Sequence, residues 1–177
     1  MATKLELYKD ALLALGQERL ASLAETSTAR LALDDAYDKA LSYCLEQGFW
    51  NFAMRTVLVD SSASVTPAFG YGYAFTKPSD FIRLLSMSVE ETMKTPLLDF
   101  VDEANLWYAN CDPLYAKYVS DDRDYGQDLS LWPETFADYV AHRLAVPACQ
   151  RTTGPAPDAD MLRAHNRARG APRPTAP

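Results

Sequence analysis

The sequence predicts an α+β fold, mainly α: a helical bundle of about four helices with a small antiparallel β-sheet inserted between the second and third. Three observations carry this. Apolar residues at steps of three and four run through residues 4–15, 26–47 and 133–148. Between the last two lies a stretch of short β-branched and aromatic runs, broken by Pro, Gly, Asn and Asp. An apolar stripe on a short helix must be covered, so the two helical stretches are expected to pack on each other. The predicted organisation is a first helical-bundle segment at 1–59, a β-rich insertion at 60–130, a second helical-bundle segment at 131–170 and a Pro-rich extended tail at 171–177.

The first helix is set by Leu5, Tyr8, Leu12 and Leu15, and Gly16 closes it. Thr26 or Ser27 is a suitable N-cap for the second, because a short side-chain oxygen accepts a free backbone N–H there. Leu33, Tyr37, Ala40, Leu41, Cys44 and Leu45 form its stripe, and Gly48 is expected in the left-handed position that ends it. Three large aromatics, Phe49, Trp50 and Phe52, then precede the strand-like "RTVLVD" (55–60). This stretch reads as a structural corner of Gly48, Trp50, Asn51 and Phe52. The rings plug the bundle end and Asn51 serves backbone groups left free at the break.

Further strand candidates are 73–78, 81–89, 96–102, 106–109 and 114–120, read together as one small sheet. Pro133 suits the first turn of the next helix, whose stripe is Phe136, Tyr139, Val140, Leu144, Ala145 and Ala148. Pro147 is expected to kink or end it. A last short helix is predicted at 158–169, with Arg163 and Arg167 on one face.

The net charge is −7 over 177 residues, with an isoelectric point near 4.8. That balance argues against a chain that grips nucleic acid over its whole surface, since phosphate contacts require Lys and Arg. The charge is uneven. Residues 61–130 carry 5 basic and 11 acidic side chains, whereas residues 131–177 carry 6 basic and 4 acidic. Three widely spaced cysteines and no C-x-x-C fit buried thiols in a reducing compartment. The N-terminus lacks the apolar core of a signal peptide, and no run is long enough to cross a membrane.

Chemical motifs are weak throughout. "GYGYAF" (70–75) lacks the third glycine of a dinucleotide loop and reads as a turn with exposed aromatics. "SDDRDYGQD" (120–128) fits no calcium-loop register and reads as a solvated loop. His142 and His165 have no Cys or His at metal spacing, and no G-x-S-x-G elbow occurs. A hydrolase built on His142 and dispersed acids is therefore disfavoured. The chain reads as a non-enzyme, with no catalytic, cofactor or metal residues assigned.

Four segments, in order, resemble the phage head–tail connector adaptor family, the group of tail tubular protein A. They are "ALLALGQERLASLAE" (11–25), "AYDKALSYCLEQGFWNFAMRTVLV" (36–59), "GYGYAFTKPSDFIRLLSM" (70–87) and "WPETFADYVAHRLAVPAC" (132–149). The resemblance covers roughly residues 8–150 and rests on collinear order. It departs at the end, where a short final helix and "GAPRPTAP" stand in place of a longer charged helix.

The resemblance implies a virion structural protein. Such proteins form a homo-oligomeric ring, typically of twelve subunits (a dodecamer), beneath the portal. They bind a downstream tail or nozzle/stopper protein, and DNA passes through the lumen without specific binding. The expected location is the virion, and the host cytoplasm before assembly, with no membrane. The basic tail residues Arg163, Arg167, Arg169 and Arg173 read either as a frayed end or as a segment that docks on an acidic partner, since arginine forks suit one; the resemblance implies that this partner is the portal, making them portal-binding. Phe69, Tyr71 and Tyr73 read as subunit-interface residues, or as caps on the sheet. The alternative is a cytoplasmic protein-binding module with an acidic face and a basic tail.

Overall fold

The computed structural model describes residues 2–152. The chain divides into two compact units. One is built from the chain up to Phe52 and from Gln127 onward; the other is Ala53–Gly126.

The helical unit contains α1 (Lys4–Ala14), α2 (Thr28–Glu46) and α3 (Glu134–Thr152). Thr3 caps α1 in a reciprocal box: its hydroxyl accepts the Glu6 N–H at 3.2 Å, and its own N–H donates to Glu6 Oε2 at 3.0 Å. Gly16, at φ +66°, turns the chain out of α1. The Gly16 N–H reaches the Leu13 carbonyl and the Gln17 N–H the Leu12 carbonyl, both at 3.0 Å. Ser27 caps α2 by accepting the Arg30 N–H at 3.3 Å.

Helix α3 packs against both α1 and α2. It runs through Pro147 for another five residues, so of the two outcomes expected there, a kink or an end, the proline does not end the helix. Leu144, Ala145, Ala148 and Cys149 are buried on either side of the proline. Their packing outweighs the one backbone bond that proline deletes.

The α1–α2 side is fastened by Asp34. Its carboxylate accepts Tyr8 OH at 2.6 Å, lies 3.2 Å from Lys4 Nζ and is paired with Arg30 one turn earlier. The Tyr8 hydroxyl, followed by Lys4 and Arg30, holds this carboxyl below the ordinary range.

The β unit contains β1 (Met54–Val59), β2 (Tyr73–Thr76), β3 (Phe81–Ser88), β4 (Phe100–Glu103), β5 (Leu106–Ala109) and β6 (Leu114–Ser120). The strands form two antiparallel three-stranded sheets, ordered β1-β6-β3 and β2-β5-β4. The most buried strands, β6 and β5, are the central ones. Phe75, Trp107 and Ala109 of one sheet and Met87, Leu114, Ala116 and Tyr118 of the other form one buried core. Met54 pairs with Val119 and Val59 with Leu114, so both ends of this unit leave from adjacent strands.

This corrects the expected fold class. Among the described residues there are three α-helices, not a bundle of about four, and the β region is two sheets rather than one small insert. Period-two patterning marks a strand but does not name its partner. The pairing of β2 with β5, and of β3 with β6, is set by how the side chains share the core. The expected helix at 158–169 and the tail at 171–177 lie outside the described residues.

Phe136 is fully buried in the helical unit. Phe136→Ala is expected to lower unfolding free energy by about 3–5 kcal/mol. Urea titration followed by the helical circular dichroism signal measures it.

Candidate functional site

The corner at the end of α2 is an aromatic cluster centred on Phe136. Its ring lies 4.8 Å from each of Trp50, Phe52 and Trp132. Trp50 and Phe52 come from the first chain segment, Trp132 and Phe136 from the second. Edge-on and tilted contacts of this kind are favourable because the positive ring edge meets the negative ring face.

Gly48 is not in the left-handed region expected of it. A Cβ there would stand 3.0 Å from the Trp50 ring, so a larger residue would need the indole to give by a few tenths of an ångström. The Trp50 Nε1–H donates to the Cys44 carbonyl at 3.0 Å, an acceptor shared with the Gln47 N–H at 3.3 Å. The indole thus serves the open helix end, the role expected of Asn51, which is exposed at the start of a short 3-10 turn. The apolar count alone missed this polar duty of tryptophan.

A second cluster lies within the β unit. Asp80, in the turn before β3, accepts Arg55 Nη1 at 2.9 Å, Tyr118 OH at 3.1 Å and Ser120 Oγ at 2.5 Å. Arg55 belongs to β1, and Tyr118 and Ser120 to β6, so one carboxylate ties three chain segments. Its side chain is 13% exposed. The Arg55 guanidinium also lies 5.3 Å from the Tyr125 ring centre.

Burial alone would raise the Asp80 carboxyl. The Ser120, Arg55 and Tyr118 donors outweigh it and hold the group below the ordinary carboxylate range. Tyr118 is pushed up by burial and by the Asp80 charge. Asp121 is raised for the same two reasons. Asp80 is therefore a fixed anion saturated by its own unit, a clamp rather than a base. No motif or spacing in the sequence singles Asp80 out from the other acidic residues.

Lys77 makes a parallel clamp in the other sheet. Its Nζ donates to Asp102 at 2.5 Å and to the Ala104 carbonyl at 2.7 Å, and lies 5.1 Å and 5.9 Å from the ring centres of Phe81 and Trp107. The Trp107 indole N–H takes the second Asp102 oxygen at 3.0 Å.

The aromatic trio expected at a subunit interface is divided. Phe69 packs on Tyr108 at 5.0 Å and meets Tyr71 edge-on at 5.9 Å. Tyr71 OH donates to Asp99 at 2.9 Å. Tyr73 shares its strand face with Phe75, whereas Tyr108 lies opposite Ala74, on the other face. The acidic loop spends its oxygens locally: Asp122 accepts the Asp124 N–H at 3.0 Å, and Asp128 accepts the Ser130 N–H at 2.9 Å. His142 Nδ1 lies 2.7 Å from the Asp138 carbonyl of its own helix.

Among the described residues no three His, Cys, Asp or Glu side chains are grouped as a metal ion would require. No helix among them is long and apolar enough to cross a membrane. Arg163, Arg167, Arg169 and Arg173 lie outside the described residues. No protein-family model matches this sequence, and no curated protein matches it.

Asp80 carries a pH-dependent share of the stability. A depressed folded value means the contribution is complete above the unfolded value of about 3.9 and is lost as pH falls through the lower folded one. Asp80→Asn is expected to be less stable than the parent at pH 7, by about 1–3 kcal/mol. The gap should close toward about pH 2. Paired denaturation curves across this range test it, and a constant gap contradicts it.

Proposed function

We propose that this chain is a head–tail connector adaptor, a non-catalytic virion protein that joins a portal ring to the tail. The observation that carries the reading is the collinear run of four segments over roughly residues 8–150. Two of those segments contain the residues on which the fold is fastened. "WNFA" (50–53) supplies Trp50 and Phe52 to the aromatic corner, and "KPSD" (77–80) supplies the Lys77 and Asp80 clamps.

In this reading copies of the chain close a ring by heterologous contacts, one face of a subunit meeting a different face of the next. Phe69 with Tyr71 is the aromatic pair available for a neighbouring copy, and Phe69 is 41% exposed. The net acidity of residues 61–130 suits a surface that lets DNA pass without holding it, since like charge repels phosphate. The arginines at 163, 167, 169 and 173 dock on the portal.

The isolated protein is expected to be monomeric by light scattering and to join a purified portal ring in fixed copy number. Deleting residues 158–177 should abolish portal binding while the circular dichroism of the helices and strands is kept. A stable ring formed without portal, or binding unchanged by the deletion, contradicts the assignment.

A further inference from the structure

A groove of about 450 Å³ runs between α1 and the start of α3 in the helical unit. Leu7 and Trp132 line it, and Glu6, Asp10, Glu134 and Asp138 stand around it. The four acids are two pairs, each four residues apart on its own helix, so each pair repels along the helix as well as across the groove. All four are exposed, and among the described residues none of them takes part in an ion pair. Glu6 alone has a local duty, one oxygen serving the Thr3 cap. An acidic groove with no Lys or Arg lining it among the described residues is complementary in charge to a guanidinium-bearing segment.

The chain carries such a segment. After Asp160 it has four arginines and no acid, and Arg163 and Arg167 repeat the four-residue spacing of the groove carboxylates. Reach is sufficient. Helix α3 ends at Thr152, fourteen residues past Asp138, a rise of about 21 Å. Glu134 lies about 27 Å back along the same axis. The eleven residues from Thr152 to Arg163 span up to about 36 Å when extended.

We propose that residues 163–173 of this chain dock in the α1–α3 groove of the same molecule. The contact is electrostatic, and its arginines answer the four carboxylates. If the connector reading holds, the groove keeps the portal-docking arginines engaged until an acidic surface on the portal competes for them. That regulatory meaning rests on the proposed function; the contact itself does not.

The test uses the full chain with a nitroxide on Ala168→Cys in a Cys111→Ser background. Paramagnetic broadening is read on the amides of Glu6, Leu7, Asp10, Glu134 and Asp138. We expect these signals to lose at least half their intensity, and to regain it in about 0.5 M salt, where the Debye length is only a few ångströms. Arg163→Glu with Arg167→Glu should restore them too. Glu134→Gln with Asp138→Asn should weaken the broadening from the other side.

Undisturbed amides would overturn the proposal. So would broadening that appears only when spin-labelled, unenriched protein is mixed with unlabelled, isotope-enriched protein, since the occupant is then a second copy. Because portal is absent from the experiment, failure here leaves the connector assignment standing. Failure of portal binding, conversely, leaves the groove contact standing.

Discussion

The helical unit depends on one closure. Its first two helices and its third are separated by the whole of the β unit, and Phe136 brings them together by seating its ring among Trp50, Phe52 and Trp132. Closing a chain over a long excursion costs entropy that grows only slowly with length. Here the excursion is itself folded, and its ends leave side by side because Met54 pairs with Val119. The chain therefore enters and leaves the β unit on neighbouring strands, which shortens the effective loop that the aromatic cluster has to close.

The two units share a second habit. Each secures distant segments with one carboxylate that accepts several donors: Asp34 between α1 and α2, Asp80 between β1, the turn before β3, and β6. A carboxylate so engaged is expensive to disturb, since losing it strands several donors away from water. It is also unsuited to proton transfer, because its lone pairs are committed. The polar chemistry of both clusters is directed inward, to positioning strands and helices.

Much of the local structure was legible because it rests on spacing. The stripes of α1, α2 and α3 and the six strand runs follow from period and from turn residues. What escaped was decided by partners. A strand run does not reveal its neighbour, so two sheets were read as one. Gly48 looked like a left-handed helix stop, yet it is Gly16 that takes the left-handed conformation at the end of a helix; at Gly48 the Trp50 ring lies where a Cβ would crowd it. Pro147 is a residue that kinks or ends a helix, and buried neighbours carry α3 past it. Asp80 looked like one acid among many, and only the convergence of Arg55, Tyr118 and Ser120 distinguishes it. The Phe69–Tyr71–Tyr73 trio read as one patch because the residues are close in sequence, whereas strand alternation puts Tyr73 on the face away from Tyr108.

The interrupted helical unit also imposes an order on synthesis. A ribosome makes α1 and α2 first, but the ring that closes their unit is added only after all six strands. The β unit, continuous in sequence, holds its whole core within Ala53–Gly126 and is complete as soon as that stretch has emerged. Domains fold as units as they are made, so the second-made unit folds before the first-begun one. Through that interval the apolar stripe of α2, with Leu33, Leu41 and Leu45, waits for α3. The growing chain is most in need of shielding at its own beginning, late in translation.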